Sequence, residues 1–300
     1  MPYIKKKIAT SNGKKAYEIL LNLGYSMKES QRLIDKRRLF CGDEILSKNT
    51  IAFGDIFLID YECESRGLEP IFEDEYFAAY DKPSGVLTHP NGRKSLYSMN
   101  DEIWSKFGRN ASVAHRLDRE TSGVLLVAKN LEVEREIKAK FEHGKVKKCY
   151  MALVNGVIEN DFVVSEPLAL KSGAKTLKNK MFVSKLGKKA VTKFDVVKVY
   201  QDLGVTLLKC YPLTGRQHQI RVHMFHVKHN IVGDALYGVS DEFASKFLDG
   251  LVSVSERELV TKASRLLLHS VSLSFEFRDK IYNINTKVNV EYEFINSLVI

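Results

Sequence analysis

The stretch SVAHRLDRETSGVLLVAKN (112–130) decides how the chain is read. Its flanks are apolar, and GVLLVA (123–128) is long enough and uniform enough to be a strand buried on both faces. Between the flanks, residues 115–122 crowd charge and hydroxyl groups into a loop. A carboxylate flanked by guanidinium groups stays ionised at neutral pH, which suits a nucleophile or an electrostatic stabiliser better than a general acid. Asp118, between Arg116 and Arg119, is such a carboxylate. Charge pattern alone equally allows an exposed turn of ion pairs worth under about 1 kcal/mol each.

Outward from that loop, the organisation is α+β. FAAYDKPSGVLTHP (77–90) reads as a strand running into a turn, and LEVEREIKAKFEHG (131–144) as a helix stopped by Gly144. KCYMALVNG, AVTKFDVVKVY and VTLLKCYPL between 145 and 213 read as strands, and QHQIRVHMFHVKH (217–229) as a helix. LLLHSVSLSF (266–275) and the alternating stretch around 281–294 read as closing strands. Strands outnumber helices without alternating with them, so a largely antiparallel sheet is expected.

The first sixty residues differ in kind. KKAYEILLNLG (14–24) has helical apolar spacing and a terminal glycine. Ser26 with Glu29 forms a capping box for a second helix to about Arg37, with Leu33 and Ile34 inward and Lys28, Arg32, Lys36 and Arg37 outward. LFCGDEI (39–45) reads as strand, turn, strand, and IAFGDIFLIDYE (51–62) as a short hairpin. ESRGLE (64–69) reads as a linker.

The formal charge is +9, and it is unevenly spread. Residues 1–40 hold ten Lys/Arg against three acids, and residues 143–193 hold eleven against three. Two separate basic blocks point to a polyanion such as nucleic acid. The four cysteines stand singly, without a CxxC pair, which fits reduced cytoplasmic thiols rather than a zinc ribbon. The histidines at 218, 223, 226 and 229 lack a companion ligand at a metal-binding spacing, so no metal is expected. No Walker loop, GxGxxG or GxSxG motif is present, and no apolar run is long enough to span a membrane.

Five ordered motifs carry a resemblance: DKPSGVLTHP, HRLDRETSGVLLVAK, KKCYMALVNG, LTGRQHQIRVH with IVGDALYG, and SRLLLHSVSL. Together they resemble the RluA-type pseudouridine synthases, in the RluC/RluD-like branch. The helix–turn–basic helix and the GDEI turn that precede them resemble the alpha-L RNA-binding domain of the ribosomal protein S-four type. The resemblance implies an alpha-L domain over 1–63 and a catalytic domain over 68–300 with a mixed, largely antiparallel sheet and a central cleft. It implies isomerisation of uridine to pseudouridine in structured RNA, ribosomal RNA favoured and transfer RNA possible, with no cofactor or metal. By likeness, Asp118 is the catalytic aspartate, Arg221 its ion-pair partner, and Tyr150 the ring that stacks on the uracil. Arg116 resembles the arginine that enters the RNA stack where the target base has left, and Lys28, Arg32, Lys36 and Arg37 would meet phosphate. A monomer is expected. One departure is Lys228-His229-Asn230, where the family commonly has Gly-His-Pro. The alternative reading is a non-catalytic RNA-binding or ribosome-assembly protein retaining the fold.

Overall fold

The computed structural model describes residues 3–90, 95–170, 177 and 180–299. Lys171, Lys175 and Lys178 of the second basic block lie outside them. Two compact units are present: residues 1–66 with 89–105, and residues 67–88 with 106–300.

In the first unit, strands β1 (Tyr3–Lys15), β2 (Leu39–Cys41), β3 (Glu44–Ile45) and β4 (Ile51–Tyr61) form a sheet in the order β1-β4-β2-β3. Helices α1 (Ala16–Asn22) and α2 (Met27–Asp35) cover it. Ile19, Leu20, Leu33, Ile34, Leu39, Ile56 and Leu58 make its core. The Ser26–Glu29 capping box forms as its spacing requires, and Lys28, Arg32, Lys36 and Arg37 are exposed. The expected hairpin over 51–62 is instead a single strand. It pairs with β2 on one side and on the other with β1, whose Lys5, Lys6 and Lys7 face solvent and hide the strand signal. Gly54 lies inside the ladder opposite Ser11 and makes no turn. Helix α3 (Met99–Phe107) contributes its residues through Ser105 to this unit. Its buried Asp101 accepts from the Tyr61 hydroxyl, and Glu102 accepts from the Arg66 amide at 2.7 Å.

The second unit is built on a ten-stranded sheet. Its strands are β5 (Phe72–Glu73), β6 (Phe77–Lys82), β7 (Ser112–Val113), β8 (Ser122–Ala128), β9 (Lys147–Asn155), β10 (Phe162–Val164), β13 (Thr192–Tyr200), β14 (Val205–Pro212), β15 (Leu268–Phe277) and β16 (Lys280–Asn285). A small ribbon of β11 (Leu168–Leu170) and β12 (Met181–Val183) stands apart. The main order is β10-β13-β14-β9-β15-β8-β6-β5, with β7 on β8 and β16 on β15. Every pairing is antiparallel except β15 with β8. The fold is therefore α+β with a mixed, largely antiparallel sheet, as the strand count predicts.

Helix α4 (Leu131–Glu142) packs Val133 and Ile137 into a core with Phe77, Leu126, Phe275 and Tyr282. Helix α5 (Gln219–His226) follows β14, and α6 (Asp241–Leu248) and α7 (Val254–Thr261) lie between it and β15. The expected strand around 281–294 stops at Asn285, and α8 (Val290–Asn296) follows. Asn289 caps that helix by accepting from the Tyr292 amide, and Val290 and Phe294, one turn apart, are both buried. Lys228 adopts a left-handed φ of 69°, a conformation that a glycine takes at little cost.

The one parallel contact sets the centre of the sheet. β8 meets β15 at Ser122–His269 and Gly123–Ser270. Gly123 has φ +103°, and a Cβ there would lie 2.3 Å from the Ser270 carbonyl oxygen. Both the backbone conformation and the close approach require glycine. Gly123→Ala is expected to destabilise this unit by more than about 3 kcal/mol in urea unfolding, because neither strand can retreat from a fully paired ladder. A change under about 1 kcal/mol would show the contact is slack.

Candidate active site

The charged loop lies where β8 begins, and a second loop staples it in place. Lys82, 1% exposed at the end of β6, donates to three carbonyls: Pro83 at 2.9 Å, Val86 at 2.7 Å and Arg119 at 3.0 Å. Its ammonium is thereby fully satisfied, and burial, partly opposed by Glu120 and Asp118, brings its pKa down to about 7. The Ser84 hydroxyl donates to the Glu120 carbonyl at 2.7 Å, and the Thr88 hydroxyl to the Leu117 carbonyl at 2.8 Å. Arg119 turns away and donates to the Gly85 carbonyl at 3.1 Å, while Glu120 pairs with Arg257 at 2.6 Å. Of the four charged residues at 116–120, only Arg116 and Asp118 line the cleft. DKPSGVLTHP thus serves as the clamp for HRLDRE.

His115 anchors the other end of the loop. Its Nε2 accepts from the Leu126 amide at 3.1 Å and its ring stacks on Phe141 at 4.8 Å. Accepting that bond requires a neutral ring, and burial lowers its pKa to about 3.

Asp118, Arg116, Tyr150 and Arg221, separated by up to a hundred residues in the chain, line one cleft of about 710 Å³. Arg221, on α5 and 3% exposed, donates through Nη1 to Asp118 Oδ2 at 3.5 Å. Its stronger partner is Asp234, which accepts from Nε at 2.7 Å and Nη2 at 2.8 Å in a bidentate pair. Burial disfavours the Arg221 charge, but Asp234 and then Asp118 more than offset it, so the guanidinium stays charged. Asp234, 1% exposed, is likewise opposed by burial yet held below the ordinary carboxyl range by Arg221 and by the Leu236 and Tyr237 amides.

His218 supplies a further polar contact. Its φ of 54° directs the chain into α5, and its Nε2 lies 3.7 Å from Asp118 Oδ2. The Tyr237 hydroxyl accepts from the Met181 amide at 3.0 Å and lies within hydrogen-bond distance of His218 Nδ1, at 2.9 Å. Burial lowers the His218 pKa, with Asp118 opposing.

Tyr150, 9% exposed on β9, faces the same cleft. Burial first, and the Asp118 charge second, push its phenol well above the usual range, so it stays protonated. Lys28, Arg32, Lys36 and Arg37 belong to the first unit. Asp234 was not among the sequence candidates, because GDALYG reads as a turn and its partner lies thirteen positions back on a helix. The available signal is an isolated acid thirteen residues after an arginine whose helical neighbours Ile220, Val222 and Met224 are apolar.

Residues 76–226 match the sequence model of the family described as RNA pseudouridylate synthase. The chain belongs to that family. It is 38% identical over 286 residues to an "Uncharacterized RNA pseudouridine synthase" of Helicobacter pylori, covering 95% of each chain. To the ribosomal large subunit pseudouridine synthase C of Buchnera aphidicola it is 37% identical over 227 residues, 75% of this chain and 67% of that one. Among solved structures, the human RNA pseudouridylate synthase domain containing 1 shares the fold, with a TM-score of 0.58 and 24% identity over 76% of this chain and 86% of that one. The protein is an RNA pseudouridine synthase of the RluA family, an isomerase acting on uridine in RNA.

Removing one carboxylate from a buried ion pair leaves the other charge uncompensated. Asp234→Asn is expected to lower unfolding free energy by about 3 kcal/mol and turnover at least tenfold, read by urea titration and pseudouridine formation. Wild-type values for both would remove Asp234 from the site.

Proposed function

We propose that this synthase acts on large-subunit ribosomal RNA and that Asp118 is its reacting carboxylate. The observation that carries the second part is the Asp234–Arg221–Asp118 chain. A buried, permanently charged guanidinium is fixed by one carboxylate and offers its remaining edge to the other, which alone of the two is partly exposed to the cleft. The reaction breaks the bond from ribose C1′ to N1, turns the base, and joins C1′ to C5, with the C5 proton released. A charge held at the cleft floor suits attack at C1′, addition to the ring, or removal of the 2′ proton. None of these steps calls for a cofactor.

Tyr150 gives the uracil a flat wall. Its protonated phenol is a better stacking surface and donor than a base, since taking the C5 proton would first require it to ionise against burial. Arg116, exposed at the rim, fills the gap left in the RNA stack when the uridine is extruded, a step costing a few kcal/mol. Residues 1–63 act as the alpha-L RNA-binding domain and 68–300 as the catalytic domain. The exposed Lys28, Arg32, Lys36 and Arg37 face of α2 would contact phosphates. The ribosomal target is favoured by the relatives named as large-subunit enzymes.

Two measurements follow. Mapping pseudouridines in ribosomal and transfer RNA with and without the gene should reveal sites lost from large-subunit RNA; loss from transfer RNA alone would overturn the target. Deleting residues 1–62 would strip Asp101 of Tyr61, so the basic face is better tested by substitution. Changing Lys28, Arg32, Lys36 and Arg37 together to Glu should weaken binding to full-length RNA at least tenfold while turnover on a short stem-loop stays within about threefold. Unchanged affinity would show that the face does not meet RNA.

A further inference from the structure

Two buried or half-buried lysines stand near the reacting loop, and they differ in how their donors are used. Lys82 places all three N–H groups on carbonyls. Lys148, half-buried on β9, donates among the described residues to the Thr214 carbonyl alone, at 3.1 Å. It lies in the wall of the catalytic cleft, two residues before Tyr150, and so projects from the same face of the strand. Burial alone lowers its pKa, to about 8, with no carboxylate opposing. Arg221 in the same cleft has Asp234 and Asp118, whereas among the described residues no acid meets the Lys148 ammonium.

A partly desolvated cation without a counter-ion is costly to maintain, and it suits a site whose anion arrives with the substrate. The loop it touches is rigidly built. The Thr214 hydroxyl donates to Gln219 Oε1 at 2.6 Å and accepts from the Val191 amide, and Gln219 also accepts from the Arg216 amide. Gly215 leaves open space beside the ammonium, since an added Cβ would come no closer than 3.8 Å to Nζ. The bond to Thr214 therefore aims the ammonium, and its two remaining donors, which meet no partner among the described residues, are left for a ligand.

We propose that Lys148 is a substrate-binding residue that holds a backbone phosphate of the extruded uridine or its immediate neighbour, beside the ring on which the base stacks. This rests on the reading of the cleft as the uridine site. The phosphate fixes the sugar while the base turns, so its loss weakens binding and misplaces C1′ relative to Asp118.

The test uses the full chain, substrate RNA and two variants. Lys148→Gln removes the charge but keeps an N–H for the Thr214 carbonyl; Lys148→Arg keeps the charge. Dissociation constants are measured across a potassium chloride series, with kcat and KM at one salt and urea unfolding as a control. With Gln, the slope of log Kd against log salt should become shallower by about 0.7 to 0.9, the loss of one phosphate contact, and KM should rise at least fivefold at low salt. Arg should restore the slope. A Gln variant with the wild-type slope, including one that binds less well by the same factor at every salt, overturns the proposal and leaves Lys148 as a pin for the Thr214 loop. A failure of the underlying reading looks different: Asp118→Asn would then still form pseudouridine, whatever the salt slope.

Discussion

The site depends on one buried ion pair. Arg221 and Asp234 bind each other through two short hydrogen bonds at 3% and 1% exposure, where either charge alone would be prohibitive. Their mutual neutralisation allows a guanidinium to sit beneath the cleft, and its third contact is Asp118. Asp118 thus gains a fixed cation on one side and the His218 ring, with Nε2 at 3.7 Å, on the other while keeping part of its surface open. The pair is a scaffold for a carboxylate, and the carboxylate is what the cleft presents.

Everything around it limits where Asp118 can move. Lys82, Ser84 and Thr88 close one loop over the other through backbone carbonyls, so the aspartate's position is set by hydrogen bonds that carry no chemistry of their own. The parallel contact of β8 with β15, possible only with glycine at 123, fixes the origin of the loop. Positioning at this level matters because small displacements of a reacting group cost large factors in rate. Two cations of the cleft, the half-buried Lys148 and the exposed Arg116, lie in its lining, where an RNA backbone would pass.

Much of this was legible in the sequence, for physical reasons that differ by element. The Ser26–Glu29 capping box is a local interaction, so three residues of spacing suffice to place α2. GVLLVA is buried on both faces and reads directly as β8. Strand β1 was hidden because its lysines point to solvent and its apolar residues are few, and without it the partner stretch 51–61 looked like a hairpin closing on itself. At the site, Asp118, Tyr150, Arg116 and Arg221 were all nameable, and they do meet in one cleft. Asp234 was not, because a turn acid declares its role only when a helix brings a cation over it. Arg119, a sequence neighbour of Asp118, serves the Gly85 carbonyl instead.

The central claim is that the carboxylate held by Arg221 is the group that reacts. Isomerisation exchanges the C5 hydrogen, so tritium placed at C5 of uridine in substrate RNA is released once per turnover. Wild-type enzyme should release it, and Asp118→Asn should release none in single-turnover conditions while binding the RNA within a few-fold of wild type. Tritium release by the Asn variant at the wild-type rate would contradict the account.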